Sequence, residues 1–462
     1  MEEDAGRMDE NLTRGVKTLL GDPKKAVLKL SGPMIVAMFV QALYNIVDGI
    51  WVAGLGSNAL AAIGLFFPLF MIILSLAIGI GIGGSSAISR KIGAKNKKMA
   101  DSSAIHTLVI GFIIGILLSS LIFPFLRKIF TSIGAKGEVL QLVVNYGQIL
   151  VGGAIILVFT NIASGILRGE GDTKRAMYAM ILGSGLNMFL DPIFIYKFRL
   201  GVVGAAWATL TSIFITSLLM IYWLFIKKDT YVDIKFKSFK FNTGIIKEIL
   251  RVGIPSSFAQ LSMSLTMIIL NIIIVKAGGT DGIAIFTSAW RIIMIGIVPL
   301  LGIAIGVTAV TASAYGARDI NKLKKGYLYS IKFGFIIEIG IVILVVILAP
   351  QLSYLFTYSK DAVHIHGDLI KAFRSLVWFL PAVPFGMLTS SMFQGIGHGE
   401  KALAVTFLRT IIMQVFFSYL FGILLNYKLI GIWWGIVLGN VTAATLSFVW
   451  GKLTIKSLKK IF

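Results

Sequence analysis

The chain has 462 residues, of which 57% are hydrophobic and only 14% are charged. An ordinary soluble protein carries about 25% charged residues, and a soluble fold this apolar would expose sticky surface to water. The composition therefore excludes a cytosolic enzyme and a secreted domain. The long apolar runs exclude a transmembrane β-barrel, and the absence of cysteine excludes disulfides and thiolate metal sites.

Apolar runs long enough to cross a bilayer core, which takes about 20 residues, recur along the whole chain. We therefore predict an all-α polytopic membrane protein with twelve transmembrane helices. The predicted spans are 26–54, 58–88, 102–126, 139–167, 175–196, 201–226, 246–276, 283–313, 327–350, 370–394, 401–426 and 429–451.

The two halves of the chain repeat each other. LKLSGPMIV at 28–36 corresponds to ILRVGIPSSF at 249–258, and SRKIGAKNKK at 89–98 corresponds to SAYGARDINKLKK at 313–325. Each half holds an even number of spans, which predicts two pseudo-symmetric six-helix lobes in the same orientation, as parallel repeats suited to alternating access. The expected segments are a cytosolic N-terminal segment (1–25), an N-terminal lobe (26–226), a cytoplasmic linker (227–245), a C-terminal lobe (246–451) and a cytosolic basic tail (452–462).

Basic residues concentrate on one side of this predicted topology. The N-terminal segment, the loops that follow even-numbered spans and the tail hold 30 of the 43 Lys and Arg residues, whereas the opposite loops hold 10. Positive residues are retained in the cytoplasm, so we predict a multi-pass protein of the cell membrane with both termini cytoplasmic. The net charge of +22 then reflects topology and attraction to anionic lipid, and no nucleic-acid partner is expected.

Two aspartates lie inside apolar spans of the first half. They are Asp48 in span 1 and Asp191 in span 5. An ionisable group inside a span is costly, which makes both side chains candidates for function. The corresponding positions of the second half, Leu270 or Asn271 and roughly Ser418, hold no acid. An asymmetric carboxylate pair is what a single coupling-ion site would look like.

Polar side chains accompany the two aspartates. Tyr44 and Asn187 each precede an aspartate by four residues and therefore share its helix face. Asn161 in span 4 and Thr209 in span 6 also lie in apolar surroundings. Carboxylate, amide and hydroxyl oxygens form a hard-oxygen set that suits Na⁺ or a shared proton. The alternative, which is open for Asn161 and Thr209 above all, is that each polar group only satisfies its neighbours in the bundle core.

Four motifs stand out in the first half of the chain: Gly32 and Pro33, the YNIVD segment of span 1, RGEGDTK at 168–174 and NMFLDP at 187–192. Together they resemble the multidrug and toxic compound extrusion family, in particular its prokaryotic DinF-like branch. The resemblance covers about residues 25–452 and implies a V-shaped pair of lobes around a central cavity. It maps the ion-coupling site, with its candidate Na⁺ ligands, onto Asp48, Asn187, Asp191 and Thr209, with Tyr44 and Asn161 as a supporting network. Another branch of the family has cation-binding carboxylates in spans 7 and 10, where this chain offers Gln260 and no acid.

The function predicted from these features is secondary active multidrug export by antiport. Small organic amphiphiles, often cationic, would leave the cell in exchange for Na⁺ or H⁺ by alternating access. We expect no cofactor and no catalytic residue, and we expect the monomer to function in the bilayer. Pro33 and Pro192 each remove a backbone hydrogen bond and are candidate bend points.

Two other functions stay open at this point. A flippase for lipids or lipid-linked oligosaccharides, from a related two-lobed family, would share the helical bundle. It would be expected to line its cavity with basic residues, for which Arg291 and Arg409 are the obvious candidates. A membrane-embedded enzyme would need a nucleophile–base or metal constellation within the bilayer, and none is visible in the spans.

Overall fold

A computed structural model describes residues 12–358 and 362–461 of the chain, and confirms an all-helical membrane architecture. We number the membrane-spanning helices α1 to α12. They are α1 Pro23–Ala53, α2 Ser57–Gly93, α3 Lys97–Ser132, α4 Gly137–Gly152 with Ala154–Gly169, α5 Thr173–Lys197, α6 Gly201–Lys227, α7 243–278, α8 280–316, α9 Ile320–Thr357, α10 Val363–Gly395, α11 Gly399–Leu424 and α12 Lys428–Ile461.

Two of the twelve helices follow each other without a loop. Residues Thr243–Gly316 form a nearly continuous helical stretch of 74 residues. Gly279 interrupts this stretch with φ 60° and ψ −149°, a conformation that only glycine adopts readily. The interruption lies between the predicted spans 7 and 8 and separates α7 from α8.

Most helices are longer than the predicted spans. Helix α9 begins at Ile320 and ends at Thr357, α12 continues to Ile461, and α4 bends by 48° between its two parts. Hydropathy identifies only the apolar part of a helix, so a prediction from hydropathy omits the turns that extend into water or the lipid headgroups. Residues 1–11 of the predicted N-terminal segment lie outside the described residues, and the short helix Arg14–Leu20 follows them.

The sequence repeat is reproduced in backbone geometry. Lys95 and Arg318, at matching positions of the two halves, both adopt left-handed conformations with φ of 54° and 56°. The next residues, Asn96 and Asp319, cap α3 and α9 by accepting a hydrogen bond from a backbone N–H three residues further on, at 3.1 and 2.8 Å. The same turn therefore joins the second and third helices of each lobe.

Each lobe has its own hydrophobic core. The core of the first lobe contains Phe66, and that of the second contains Phe286. Ile245 and Ile249, in the first turns of α7, pack into the core of the first lobe although α7 belongs to the second. The beginning of α7 therefore interlocks the two lobes.

The two lobes pack closely against each other toward the end of the molecule where α2 ends and α7 begins. Gly79 and Gly83 of α2 lie against Gly253 of α7, and Gly93 lies against the backbone of Ser313 in α8. A Cβ atom on Gly79, Gly83 or Gly93 would overlap the facing helix. Small residues at these positions therefore permit the backbones to meet.

A polar cluster joins the lobes at the same end, and we call it the gate cluster (Arg90, Lys91, Glu248 and Gly395). The buried Arg90 Nε lies 2.9 Å from Glu248 Oε1, and Arg90 Nη1 donates to the Gly395 carbonyl at 2.9 Å. Lys91 Nζ lies 2.9 Å from Glu248 Oε2. Arg90 and Lys91 belong to α2 of the first lobe, whereas Glu248 and Gly395 belong to α7 and α10 of the second.

At the opposite end of the molecule, polar contacts between described residues stay within one lobe. Asn58 Nδ2 donates to Glu138 Oε2 at 2.7 Å in the first lobe, and His364 Nε2 lies 3.2 Å from Asp281 Oδ2 in the second. The two lobes are thus fastened together at the end that carries the linker.

Candidate functional site

Two residues of α5 place polar groups inside the first lobe. Asp191 is fully buried and Asn187, one turn earlier on the same face, is only 2% exposed. Pro192 follows immediately, and from Ile193 to Lys197 the helix continues as a π-helix. A proline that removes one backbone hydrogen bond beside this irregular turn makes the region around Asp191 the least regular part of α5.

The Asn187 amide connects Asp191 to helix α6. In the amide orientation that satisfies both donors and acceptors, Asn187 Nδ2 donates to Asp191 Oδ2 at 2.9 Å. Its oxygen accepts from Thr209 N at 3.1 Å and from Thr209 Oγ1 at 3.2 Å. The second carboxyl oxygen, Asp191 Oδ1, is buried and accepts no hydrogen bond from the described residues.

The carboxyl group of Asp48 completes the pair from helix α1. It is partly buried and lies within hydrogen-bonding reach of the Asp191 carboxyl group. Two carboxylates cannot bond to each other unless they share a proton, and without one they repel. Tyr44, one turn before Asp48, lies close enough to both carboxyl groups and to Thr209 to interact with them.

Tyr146 of α4 is a further member of this cluster that the sequence did not indicate. It lies close enough to Asp48 and Asp191 to interact electrostatically with both carboxyl groups. Its ring packs edge-on against Phe66 with 5.2 Å between centroids. A single tyrosine in an apolar span carries no periodic signal. Its place is shown only by its packing against the small cluster of Val52, Ile195 and Ala205, which come from α1, α5 and α6.

The structure therefore brings together five of the six predicted residues. Tyr44, Asp48, Asn187, Asp191 and Thr209 form one cluster across α1, α5 and α6. Asn161 instead donates from Nδ2 to the carbonyl oxygen of Leu157 at 3.0 Å, one turn earlier in its own helix. The role of Asn161 in the supporting network stays a prediction.

The two candidate bend points differ in structure. Helix α1 runs without interruption through Pro33, whereas Pro192 directly precedes the π-helix of α5. Bending at either proline stays a prediction.

The described residues of the second lobe form no equivalent carboxyl pair. Asn271 Oδ1 and Ser418 Oγ, at positions corresponding to the two aspartates, are buried without hydrogen-bond partners in the described structure. Glu338 of α9 is fully buried, and neither of its carboxyl oxygens is hydrogen-bonded to a described residue. The lobes thus share an architecture and differ in chemistry.

Comparison with known proteins places this arrangement in a family. The MatE family model matches residues 33–193 and 255–420, one segment in each lobe. The multidrug export protein MepA of Staphylococcus aureus (strain MSSA476) is 28% identical over 429 residues, which is 91% of each chain.

Solved structures agree with this match over nearly the full length. One is the outward-facing conformation of a multidrug resistance MATE family transporter of the MOP superfamily. It is 55% identical with a TM-score of 0.94, covering 97% of this chain and 99% of that chain. Another, a MATE in the straight conformation, is 54% identical with a TM-score of 0.94, covering 97% and 100%. The chain therefore belongs to the MatE family, the multidrug and toxic compound extrusion transporters whose motifs it carries.

Proposed function

We propose that this chain is a secondary active multidrug exporter that moves organic, often cationic, amphiphiles out of the cell in exchange for Na⁺ or H⁺. Family membership and the multidrug export protein MepA support the substrate class. The observation that supports ion coupling is the buried pair of carboxyl groups, Asp48 and Asp191. All members of the cluster come from one lobe of one chain, so a monomer suffices.

The coupling ion occupies the space between these two carboxyl groups. Burying a charge without a partner is costly, and Asp191 Oδ1 has no partner among the described residues. A shared proton or a Na⁺ ion between Asp48 and Asp191 would remove this cost, with the oxygens of Asn187 and Thr209 as further ligands. Oxygen ligands of this kind suit a hard cation. Na⁺ and H⁺ therefore compete for one site.

The conformation of the lobes indicates which step of the cycle the structure represents. The gate cluster closes the end where the basic linker and the first turns of α7 lie, and the positive-inside rule assigns that end to the cytoplasm. The structure is then outward-facing, like one of the solved transporters that it matches. Binding of the ion changes the charge on α1 and α5. It can drive the return to the inward-facing state only if the ion binds the inward-facing and outward-facing states with different affinities. The irregular turn after Pro192 gives α5 a place to bend.

Efflux from proteoliposomes tests the proposal. Export of an ethidium-like cation is measured with Na⁺ and H⁺ gradients imposed separately, for the native chain and for Asp191→Asn. A matched control is Asp368→Asn, which removes an exposed carboxylate whose ion-pair partner among the described residues is Lys371. Gradient-driven export by the native chain and the control, with loss in Asp191→Asn, is expected. Equal export with no gradient, or full coupling in Asp191→Asn, would contradict the proposal.

A further inference from the structure

An apolar groove lies on the outer face of α7 where this helix begins. Its volume is about 670 Å³. The groove runs along the helix between the end of the linker and the first turn of α11. Its lining consists of Phe241, Thr243, Ile246, Lys247, Leu250, Arg251, Ile254, Pro255 and Glu400. The groove therefore has an apolar floor with charged side chains along it.

The charged side chains that line the groove carry a net positive charge. Arg251 is bonded to Glu400, with 2.9 Å between Nη2 and Oε1 and 3.3 Å between Nε and Oε2, so these two charges offset each other. Lys247 is exposed and takes part in no ion pair of the described residues. Glu248, the next residue, is engaged by Arg90 and Lys91 in the gate cluster. An anionic group in the groove would meet the free ammonium of Lys247.

The linker that precedes α7 is held against the first lobe. Val232 N donates to Glu170 Oε2 at 3.0 Å, and Asp233 N donates to Asp101 Oδ1 at 2.8 Å. Asn242 N lies 3.0 Å from His106 Nε2. These contacts fix both ends of the segment that borders the groove.

The segment between these contacts exposes aromatic and basic side chains in alternation. Phe236 is 54% exposed and Phe241 is 69% exposed, while Lys237 and Lys240 are also exposed. Aromatic rings and lysines of this kind are typical of the headgroup layer, where basic residues attract anionic lipid. The segment that borders the groove therefore has the residue composition of a protein surface at the membrane interface.

Below the groove, the same face of α7 continues into the bilayer as an exposed apolar ridge. Ile254, Phe258, Leu265 and Ile268 are between 45% and 59% exposed. At about 1.5 Å per residue, Lys247 and Phe258 are separated by about 16 Å along the helix, the scale of one bilayer leaflet. A basic end followed by an exposed apolar ridge is complementary to a molecule with an anionic head group and a long apolar tail.

We propose that this groove is a binding site for an anionic phospholipid of the adjoining leaflet, with its phosphate at Lys247 and an acyl chain along Ile254 and Phe258. The ligand class follows from the free ammonium, the apolar floor and the position at the membrane interface. The other face of the same turns carries Glu248 and Gly253, which contact the first lobe. The bound lipid therefore lies on the face of α7 opposite to the face that contacts the first lobe.

A fluorescent probe in the groove tests this site. The chain has no cysteine, so Ile254→Cys can be labelled uniquely with bimane in nanodiscs. Quenching by brominated phosphatidylglycerol is compared with quenching by brominated phosphatidylcholine at equal mole fractions. Phosphatidylglycerol should be enriched at the probe, and Lys247→Gln should lower this enrichment about fivefold, whereas Lys247→Arg should retain it.

Two controls separate a specific site from general attraction to a basic surface. Lys456→Gln removes an exposed lysine on the tail end of α12 and should leave the enrichment unchanged. A probe at Leu453→Cys, 59% exposed near Lys452 and Lys456, should show weaker enrichment than the groove. Equal quenching by both lipids at Ile254→Cys, or equal enrichment at Leu453→Cys, would overturn the proposal, as would an unchanged enrichment in Lys247→Gln.

Discussion

Removing the charge of Glu248 should open the contact between the lobes at the linker end. The Glu248 carboxylate lies 2.9 Å from both Arg90 Nε and Lys91 Nζ, and it belongs to the opposite lobe. These ion pairs cannot persist when the lobes separate at this end. The substitution Glu248→Gln therefore destabilises the closed arrangement specifically and not the fold of either lobe.

The size of the effect follows from how far the pairs are buried. The side chain of Arg90 is 7% exposed and that of Glu248 is 26% exposed. Exposed ion pairs contribute about 0–1 kcal/mol, whereas breaking a buried pair costs about 3–5 kcal/mol. A partly buried pair with a retained bond from Arg90 to the Gly395 carbonyl should lie between these limits, at about 2 kcal/mol. That free energy corresponds to about a 30-fold change in the ratio of closed to open molecules.

Distances between spin labels measure this ratio. Lys98→Cys in the first turn of α3 and Lys324→Cys near the start of α9 are exposed positions in different lobes of a chain without native cysteine. In nanodiscs, Glu248→Gln should transfer population from a short to a longer distance between the two labels.

The control for this measurement is Asp229→Asn. The Asp229 carboxylate also has two basic partners, Arg175 at 2.6 Å and Lys227 at 3.1 Å, but all three residues are in the first lobe and its linker. The distance distribution should stay native in this variant. An unchanged distribution in Glu248→Gln, or an equal shift in Asp229→Asn, would refute the reasoning.

The remaining predictions concern the two aspartates and the topology. Asp48→Asn and Asp191→Asn should each abolish coupled export while the protein remains folded and inserted. Glu338→Gln should reduce export less, because no amide or hydroxyl group of the described residues is hydrogen-bonded to Glu338. Loss of export in Glu338→Gln together with normal export in both aspartate variants would move the site to the second lobe. An impermeant thiol reagent on intact cells should label Lys136→Cys and spare Lys240→Cys, since the excess of basic residues predicts a cytoplasmic linker. Labelling of Lys240→Cys from outside would reverse the orientation.

The fold was predictable because the bilayer imposes a strong constraint on sequence. Each span must be apolar over about 20 residues, and the repeat assigns six spans to each lobe. The 48° bend of α4 at Gly153 and the direct succession of α7 and α8 at Gly279 could not be predicted. Such features depend on neighbouring helices, and hydropathy does not record them.

The sequence indicates a residue of the candidate site where its side chain is energetically costly inside a span, or where it shares a helix face with such a side chain. Asp48 and Asp191 stand out because carboxyl groups are costly in a span, and Asn187 because it lies one turn from Asp191. Tyr146 reaches the cluster from another helix, and the Arg90–Glu248 pair joins residues 158 positions apart. Contacts between distant helices leave no local pattern in the sequence.

The affinity of the native chain for Na⁺, measured by isothermal titration calorimetry over a series of pH values, tests the central claim most directly. In the proposed mechanism a proton held between Asp48 and Asp191 occupies the site that Na⁺ needs, so the Na⁺ affinity should fall as the pH falls. Removing one carboxyl group removes the competition, so Asp191→Asn should show weak binding without this pH dependence. A Na⁺ affinity of the native chain that does not change with pH, with both aspartates confirmed as ligands, would contradict a site shared by Na⁺ and protons.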